Sequence, residues 1–245
     1  MKHDTKQSNK MGSNRTGIQM SPVDSKALLE AAQDRSPDVA GDGSAISEMR
    51  RRYAESAEPL GSVPPPGTVR GAAKTGAAKI SGSDPELLLD KLGERLAFER
   101  SSARVYDAML VKFQAEPAMD GLSLQDLQQI RDDEIRHLMM LNEVIESLGA
   151  DATAQTPSAD TVGVLGMGIV QVVSDPRTTL QQALAALLTA ELTDNAGWEL
   201  LMKLARQSGY DEIADRFQVA LEEEQRHLHK IRSAIEIQVL DVKAS

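Results

Sequence analysis

Apolar residues recur every three or four positions from Pro85 to Leu240, and this period predicts four long amphipathic helices. The first runs from Pro85 to about Phe113. It opens on Ser83-Asp84-Pro85-Glu86, an N-cap followed by a proline at the first helical position and an acid in the first turn. The second follows Gly121, with Ser123 and Asp126 spaced as a capping box, and reaches Leu148 before Gly149. The third begins near Asp175-Pro176 and ends around Gln207, before Gly209; the fourth extends from Asp211 to about Leu240. Short connections make each consecutive pair an antiparallel hairpin. The connection between helices two and three, Gly149 to Ser174, is 26 residues long and carries the apolar segment Val162 to Val173. A connection of that length suits one that crosses the length of a bundle. The expected fold is all-α: a four-helix bundle with one long crossover between helices two and three. The apolar segment then packs along the outside or forms part of a subunit contact.

Residues 1–84 show no such period. They are rich in Ser, Gly, Pro and Ala, with Pro64-Pro65-Pro66-Gly67 as one example and Tyr53 as the only aromatic residue. Such a stretch buries too little surface to offset its ordering entropy. The expected division is a disordered tail over 1–84 and a helical bundle over 85–245, with marginal helices around Ser25–Gln33 and Ile46–Ala57. Arg50-Arg51-Arg52 is a weak signal for an anionic partner, and a tethering role is the other reading.

Charge sharpens this division. The net charge of −10 is made of +2 in residues 1–84 (12 Lys/Arg, 10 Asp/Glu) and −12 in the rest (15 against 27). An acidic body speaks against nucleic acid as a partner and suits a protein that attracts cations. Cysteine is absent, which excludes disulfides, thiolate metal sites and cysteine nucleophiles. No run approaches the roughly 18 apolar residues of a membrane span. The polar start lacks the apolar stretch of a secretory signal, so the expected location is the cytoplasm and no membrane contact is expected.

The chemistry lies in polar residues that interrupt the apolar stripes. Helix two reads Leu127, Ile130, Glu134, His137, Leu141, Val144, Leu148, all on one face. Helix four reads Ile213, Phe217, Ala220, Glu224, His227, Ile231, Ala234. Each places a Glu-x-x-His unit in mid-helix where core residues belong, and a buried carboxylate needs compensation. Helix one presents Leu88, Leu92, Leu96, Glu99, Tyr106, Leu110 and Phe113; helix three presents Leu180, Leu184, Leu187, Glu191, Asp194, Trp198 and Leu201. Glu94 and His229 fall off these faces and are expected at the surface.

The spacing repeats as well. Glu99 precedes Glu134 by 35 residues and Glu191 precedes Glu224 by 33, while Tyr106 and Trp198 each follow the first glutamate by seven. The body reads as two related hairpins, and a two-fold arrangement of them makes two equivalent metal positions. One Glu from each of two helices and Glu-x-x-His from the other two is the donor set of di-iron and di-manganese carboxylate bundles. Mixed carboxylate and imidazole donors suit iron or manganese. A buried polar network that sets helix register is the other reading of the same six residues.

Asp133-Glu134-Ile135-Arg136-His137 resembles the D-E-x-R-H motif of the ferritin-like superfamily, specifically its rubrerythrin and bacterioferritin branch. Glu223-Glu224-Gln225-Arg226-His227 matches it with Glu for Asp. The resemblance covers about residues 85–240. It implies that Glu99 and His137 bind one metal, that Glu191 and His227 bind the other, and that Glu134 and Glu224 bridge both. It also implies that Asp133 accepts from a ligand imidazole, with Glu223 as its counterpart, and that Asp194 is an extra acid beside the helix-three ligand. Tyr106 and Trp198 are core residues or neighbours of the ligands. The expected cofactor is two iron ions, with manganese as the alternative. A ferrous pair would reduce O₂ or H₂O₂, as a ferroxidase or peroxidase in iron or oxidative-stress handling, with an electron donor that the sequence does not identify. Iron storage or sequestration and a di-manganese catalase-like activity are the alternatives. The expected assembly is a homo-oligomer, a dimer in the first instance.

Overall fold

A computed structural model of the chain describes residues 13–14, 17–18, 26–27, 30, 43–57, 63–64, 85–115 and 119–241. The chain divides into two compact units, residues 1–58 and 59–245. In the first, β1 (Ser13–Asn14) pairs antiparallel with β2 (Gly17–Ile18). The helix α1 (Ser44–Ser56) buries none of its residues. Two arginines of the basic run are engaged within this helix, Arg51 with Glu48 at 2.8 Å and Arg52 with Glu48 at 2.9 Å. Most of the predicted 1–84 tail, including most of the Ser25–Gln33 stretch, lies outside the described residues.

The second unit is all-helical. Four long helices, α2 (Pro85–Ala115), α3 (Leu124–Ser147), α5 (Leu180–Gln207) and α6 (Asp211–Asp241), take the places that the apolar period predicts. Helix α2 packs against α3 and α5, and α5 against α6. The expected capping box forms at the start of α3: Asp126 N donates to Ser123 Oγ (3.1 Å) and Ser123 N donates to Asp126 Oδ2 (2.9 Å). Helix α5 ends on Gly209 (φ 79°), whose left-handed backbone lets Tyr210 N close on Ala205 O at 3.0 Å.

The long crossover carries a helix of its own. Residues Pro157–Ser174 form a helix, α4, capped by Thr156 and started by Pro157 at its first turn. It lies against α2 and α5. Gly93 of α2 makes that approach possible, since a Cβ there would stand 2.6 Å from Thr156 Oγ1. Only its ends are buried, at Ala159 and Val173, while Val164, Leu165 and Met167 stay exposed. The Asp175-Pro176 signal is also re-read. Asp175 is the C-cap of α4 and accepts from Arg177 N (2.9 Å), and α5 starts later, on a Thr179–Gln182 capping box. An Asp-Pro pair can start a helix or close a turn, and here the crossover helix claims it. No helix among the described residues is long and apolar enough to cross a membrane.

Two apolar cores fill the bundle, one above the other. Leu88, Leu92 and Leu96 of α2 join Leu141 and Val144 of α3, Trp198 and Leu201 of α5, and Phe217 of α6. Tyr106 and Met109 of α2 join Leu127 and Ile130 of α3, Leu184 and Leu187 of α5, and Ile231 of α6. Each long helix therefore passes from one core to the other, and each crosses the gap at its acidic residue.

Candidate metal centre

The gap between the cores is polar because the four stripes are all interrupted at the same level. Glu99, Glu134 and Glu224 are fully buried, and Glu191, His137 and His227 are no more than 4% exposed. Ligand-type atoms of Glu99, Glu134, His137 and Glu224 lie within 4.8 Å of one another, as do those of Glu134, Glu191 and His227. All six residues of the predicted set therefore meet, and Glu134 belongs to both groups. Glu224 stands between the imidazoles: its Oε1 is 2.7 Å from His137 Nδ1 and its Oε2 is 3.2 Å from His227 Nδ1. The two rings are 6.4 Å apart.

Each histidine turns Nδ1 inward and Nε2 toward an acid on the opposite helix. His227 Nε2 meets Asp133 Oδ2 of α3 at 3.1 Å, and His137 Nε2 meets Glu223 Oε2 of α6 at 2.8 Å. The residue just before each shared glutamate thus orients the imidazole of the other hairpin. Asp133 is itself held by Gln129 Nε2 (2.7 Å) and by Arg136, which also reaches Glu223 at 3.3 Å. Tyr106 Oη donates to Glu191 Oε1 from the other hairpin. Asn195 Nδ2 donates to the carbonyls of Glu191 (2.9 Å) and Glu224 (3.0 Å), tying α5 to α6 at the level of the cluster.

Burial without ions distributes protons unevenly. Burial first, and then the charges of Glu224 and Glu99, hold Glu134 protonated well above the usual carboxylate range. Burial and Glu224 raise Glu191 to about 8. Burial also opposes ionisation of Glu224, but hydrogen bonds from His137 and His227 outweigh it and lower Glu224 to about 2. In the same exchange burial disfavours the His227 cation, yet Asp133 and Glu224 raise it to about 10. Protons occupy the places where positive charge is needed.

Protons do not satisfy the cluster. Among the described residues, neither oxygen of Glu134, neither oxygen of Glu99, nor Glu191 Oε2 has a hydrogen-bond partner. Buried polar atoms in native folds nearly always have one. Four glutamates and two imidazoles with inward-facing acceptor atoms fit two divalent cations: the carboxylates carry four negative charges against four positive. Asp194 is a further buried acid at this level. Its Oδ1 lies 3.1 Å from Arg95 Nη1, an ion pair not aligned as a hydrogen bond, and it joins neither ligand group.

Arg95 was not among the residues singled out from the sequence. It is 5% exposed, and its Nε lies 2.9 Å from Glu99 Oε1, although not aligned for a hydrogen bond. Its guanidinium covers the Phe98 ring at 4.0 Å and approaches Trp198 at 5.9 Å. Gly197 makes the room, because a Cβ there would stand 2.1 Å from Arg95 Nη1. The signal was present in the alternation 88, 92, 95, 99, 102, 106, which puts Arg95 on the same face as Glu99; Leu96 beside it drew the stripe aside. Trp198 stands edge-on to the His137 ring, 5.4 Å away. Glu94 pairs with Lys91 outside the cluster, and His229 is exposed.

Beside the cluster, Asp126, Gln129, Ile130, Asp133, Arg226, His227 and Lys230 line a cavity of about 140 Å³ between α3 and α6. A family model described as the ferritin-like domain matches residues 89–238, and the chain belongs to that family. No curated protein and no solved structure matches the chain.

Proposed function

We propose that this chain, as a member of the ferritin-like family, is a dimetal carboxylate protein of the oxidase or peroxidase type, with iron as its metal. The observation that supports this most is Glu134. It is fully buried, common to both ligand groups, and without a hydrogen-bond partner on either oxygen. A residue that only set helix register would have a partner within the protein.

Glu99 and His137 would hold one ion and Glu191 and His227 the other, with Glu134 and Glu224 between them. A ferrous pair bound there supplies two electrons, enough to take H₂O₂ with two protons to two waters. The chain contributes the rest. Asp133 and Glu223 keep each imidazole's inner nitrogen free to bind by accepting at the outer one. The two apolar cores exclude water on both sides of the layer. The cavity beside His227 admits a molecule the size of O₂ or H₂O₂ and lets Asp133 exchange protons with solvent. Carboxylate and imidazole donors without thiolate favour iron or manganese over softer-ligand chemistry.

Metal analysis after anaerobic Fe(II) loading, followed by stopped-flow addition of H₂O₂ or O₂, tests this. The expected result is two iron ions per chain, oxidised with consumption of one H₂O₂ per pair. Fewer than one ion per chain would overturn the dimetal reading. Two ions with no reaction toward either oxidant would remove the activity and leave the site.

A further inference from the structure

The hairpin repeat puts Tyr106 and Trp198 in equivalent places, 92 residues apart, as it does Glu99 and Glu191. The same offset sets Arg95 against Leu187 and Asp194 against Ser102. All four of these residues are buried, so the two halves of the centre differ in fixed charge at equivalent positions. Glu191 receives a neutral hydroxyl from Tyr106, whereas Glu99 has a guanidinium against it.

We infer that Arg95 is a positioning residue that makes the two metal positions inequivalent, so that the Glu191–His227 position fills before the Glu99–His137 position. The inference rests on the dimetal reading above. Arginine cannot give up its proton in a protein, so its charge persists when a cation arrives. Asp194 neutralises it overall, but the positive end of that pair is the end that touches Glu99. An ion entering beside Glu99 must compete with a fixed cation for a carboxylate oxygen in a water-poor layer, where Coulomb terms are strong. An ion entering beside Glu191 displaces a hydroxyl and exchangeable protons, and meets no fixed cation. The guanidinium is seated over the Phe98 ring, in the space that Gly197 leaves on α5 and near Trp198.

Zn(II) titration of the chelator-stripped full chain tests this, by calorimetry and by the side-chain nitrogen resonances of His137 and His227. The expected wild-type result is two steps separated by at least about tenfold in affinity, with the His227 signals moving first. Arg95→Met alone strands Asp194 as a buried anion, so the decisive variant is Arg95→Met with Asp194→Leu, its fold checked by circular dichroism. In that variant the two steps merge. A single step in the wild type, His137 moving first, or an unchanged separation in the double variant overturns the inference while two bound ions leave the dimetal reading intact. Less than one ion bound per chain overturns both.

Discussion

Asp133 Oδ2 accepts from His227 Nε2 at 3.1 Å, across the gap between α3 and α6, while Asp133 precedes by one residue the glutamate shared by both ligand groups. One turn of α3 therefore does two jobs: Glu134 faces the cluster, and Asp133 fixes the imidazole that the opposite helix offers to it. Glu223 and His137 repeat the contact in the other direction at 2.8 Å. Asp133→Ala should weaken metal binding about 10–100-fold, as loss of such a partner does at other metal sites. Glu223→Ala should cost less, because Glu223 is the more exposed of the two. Competition against a metallochromic chelator measures both; absent effects would detach these acids from the site, and equal ones would remove the ranking between them.

Removing a donor should abolish binding and spare the fold. Glu134→Ala and His227→Ala are expected to lose stoichiometric metal while keeping their helical far-ultraviolet signal, since both cores lie to either side of the layer. Glu134→Leu goes further. With no protein partner to lose, it should stabilise the metal-free chain by on the order of 1 kcal/mol or more. A fall in the metal-free Tm of Glu134→Leu would mean that Glu134 serves the fold.

Stability of the metal-free protein should fall as pH rises. His227, raised from 6.5 to about 10, adds stability that is complete below 6.5 and lost as pH climbs through 10. Glu191, raised from 4.5 to about 8, likewise favours the fold at low pH and costs progressively more up to 8. Glu224 and Asp133, both at about 2, act oppositely, but their contribution disappears only as pH drops from the ordinary carboxylate range toward 2. Tm should therefore peak at about pH 4–5 and decline toward pH 9. Scanning calorimetry with and without metal checks this, and loading should flatten the decline.

Metal uptake should release protons. At pH 7 both His227 and Glu191 are protonated without metal, and coordination requires both to be deprotonated. At least two protons per chain are expected to leave, measurable as the buffer dependence of the binding enthalpy, with affinity rising with pH. Binding without proton release would contradict the assigned donor set.

Gly197→Ala offers a test of the packing around Arg95. In a solvent-exposed helix interior this change would add about 1 kcal/mol of stability. Here the new Cβ meets Arg95 Nη1 at 2.1 Å, and the guanidinium is held by Asp194 and Glu99. A loss of about 1–3 kcal/mol is expected instead. In the Arg95→Met/Asp194→Leu background the penalty should vanish, which urea denaturation of the four proteins would show.

The sequence by itself determined the four long helices, their hairpin pairing and the six polar residues that break the apolar stripes. These follow from local rules. A period of 3.6 residues decides which face is buried, and an acid on that face is visible as an exception wherever it occurs. Tertiary structure decided what lay beyond a single helix face. The crossover became a helix because α2 and α5 offer it a surface, and because Gly93 lets Thr156 approach. Arg95 became part of the centre through Asp194 and Gly197 on α5, about a hundred residues away in the chain. The counterpart role of Glu223 depended on how close α6 lies to α3. Periodicity reports which way a residue faces, and only packing reports what it meets there.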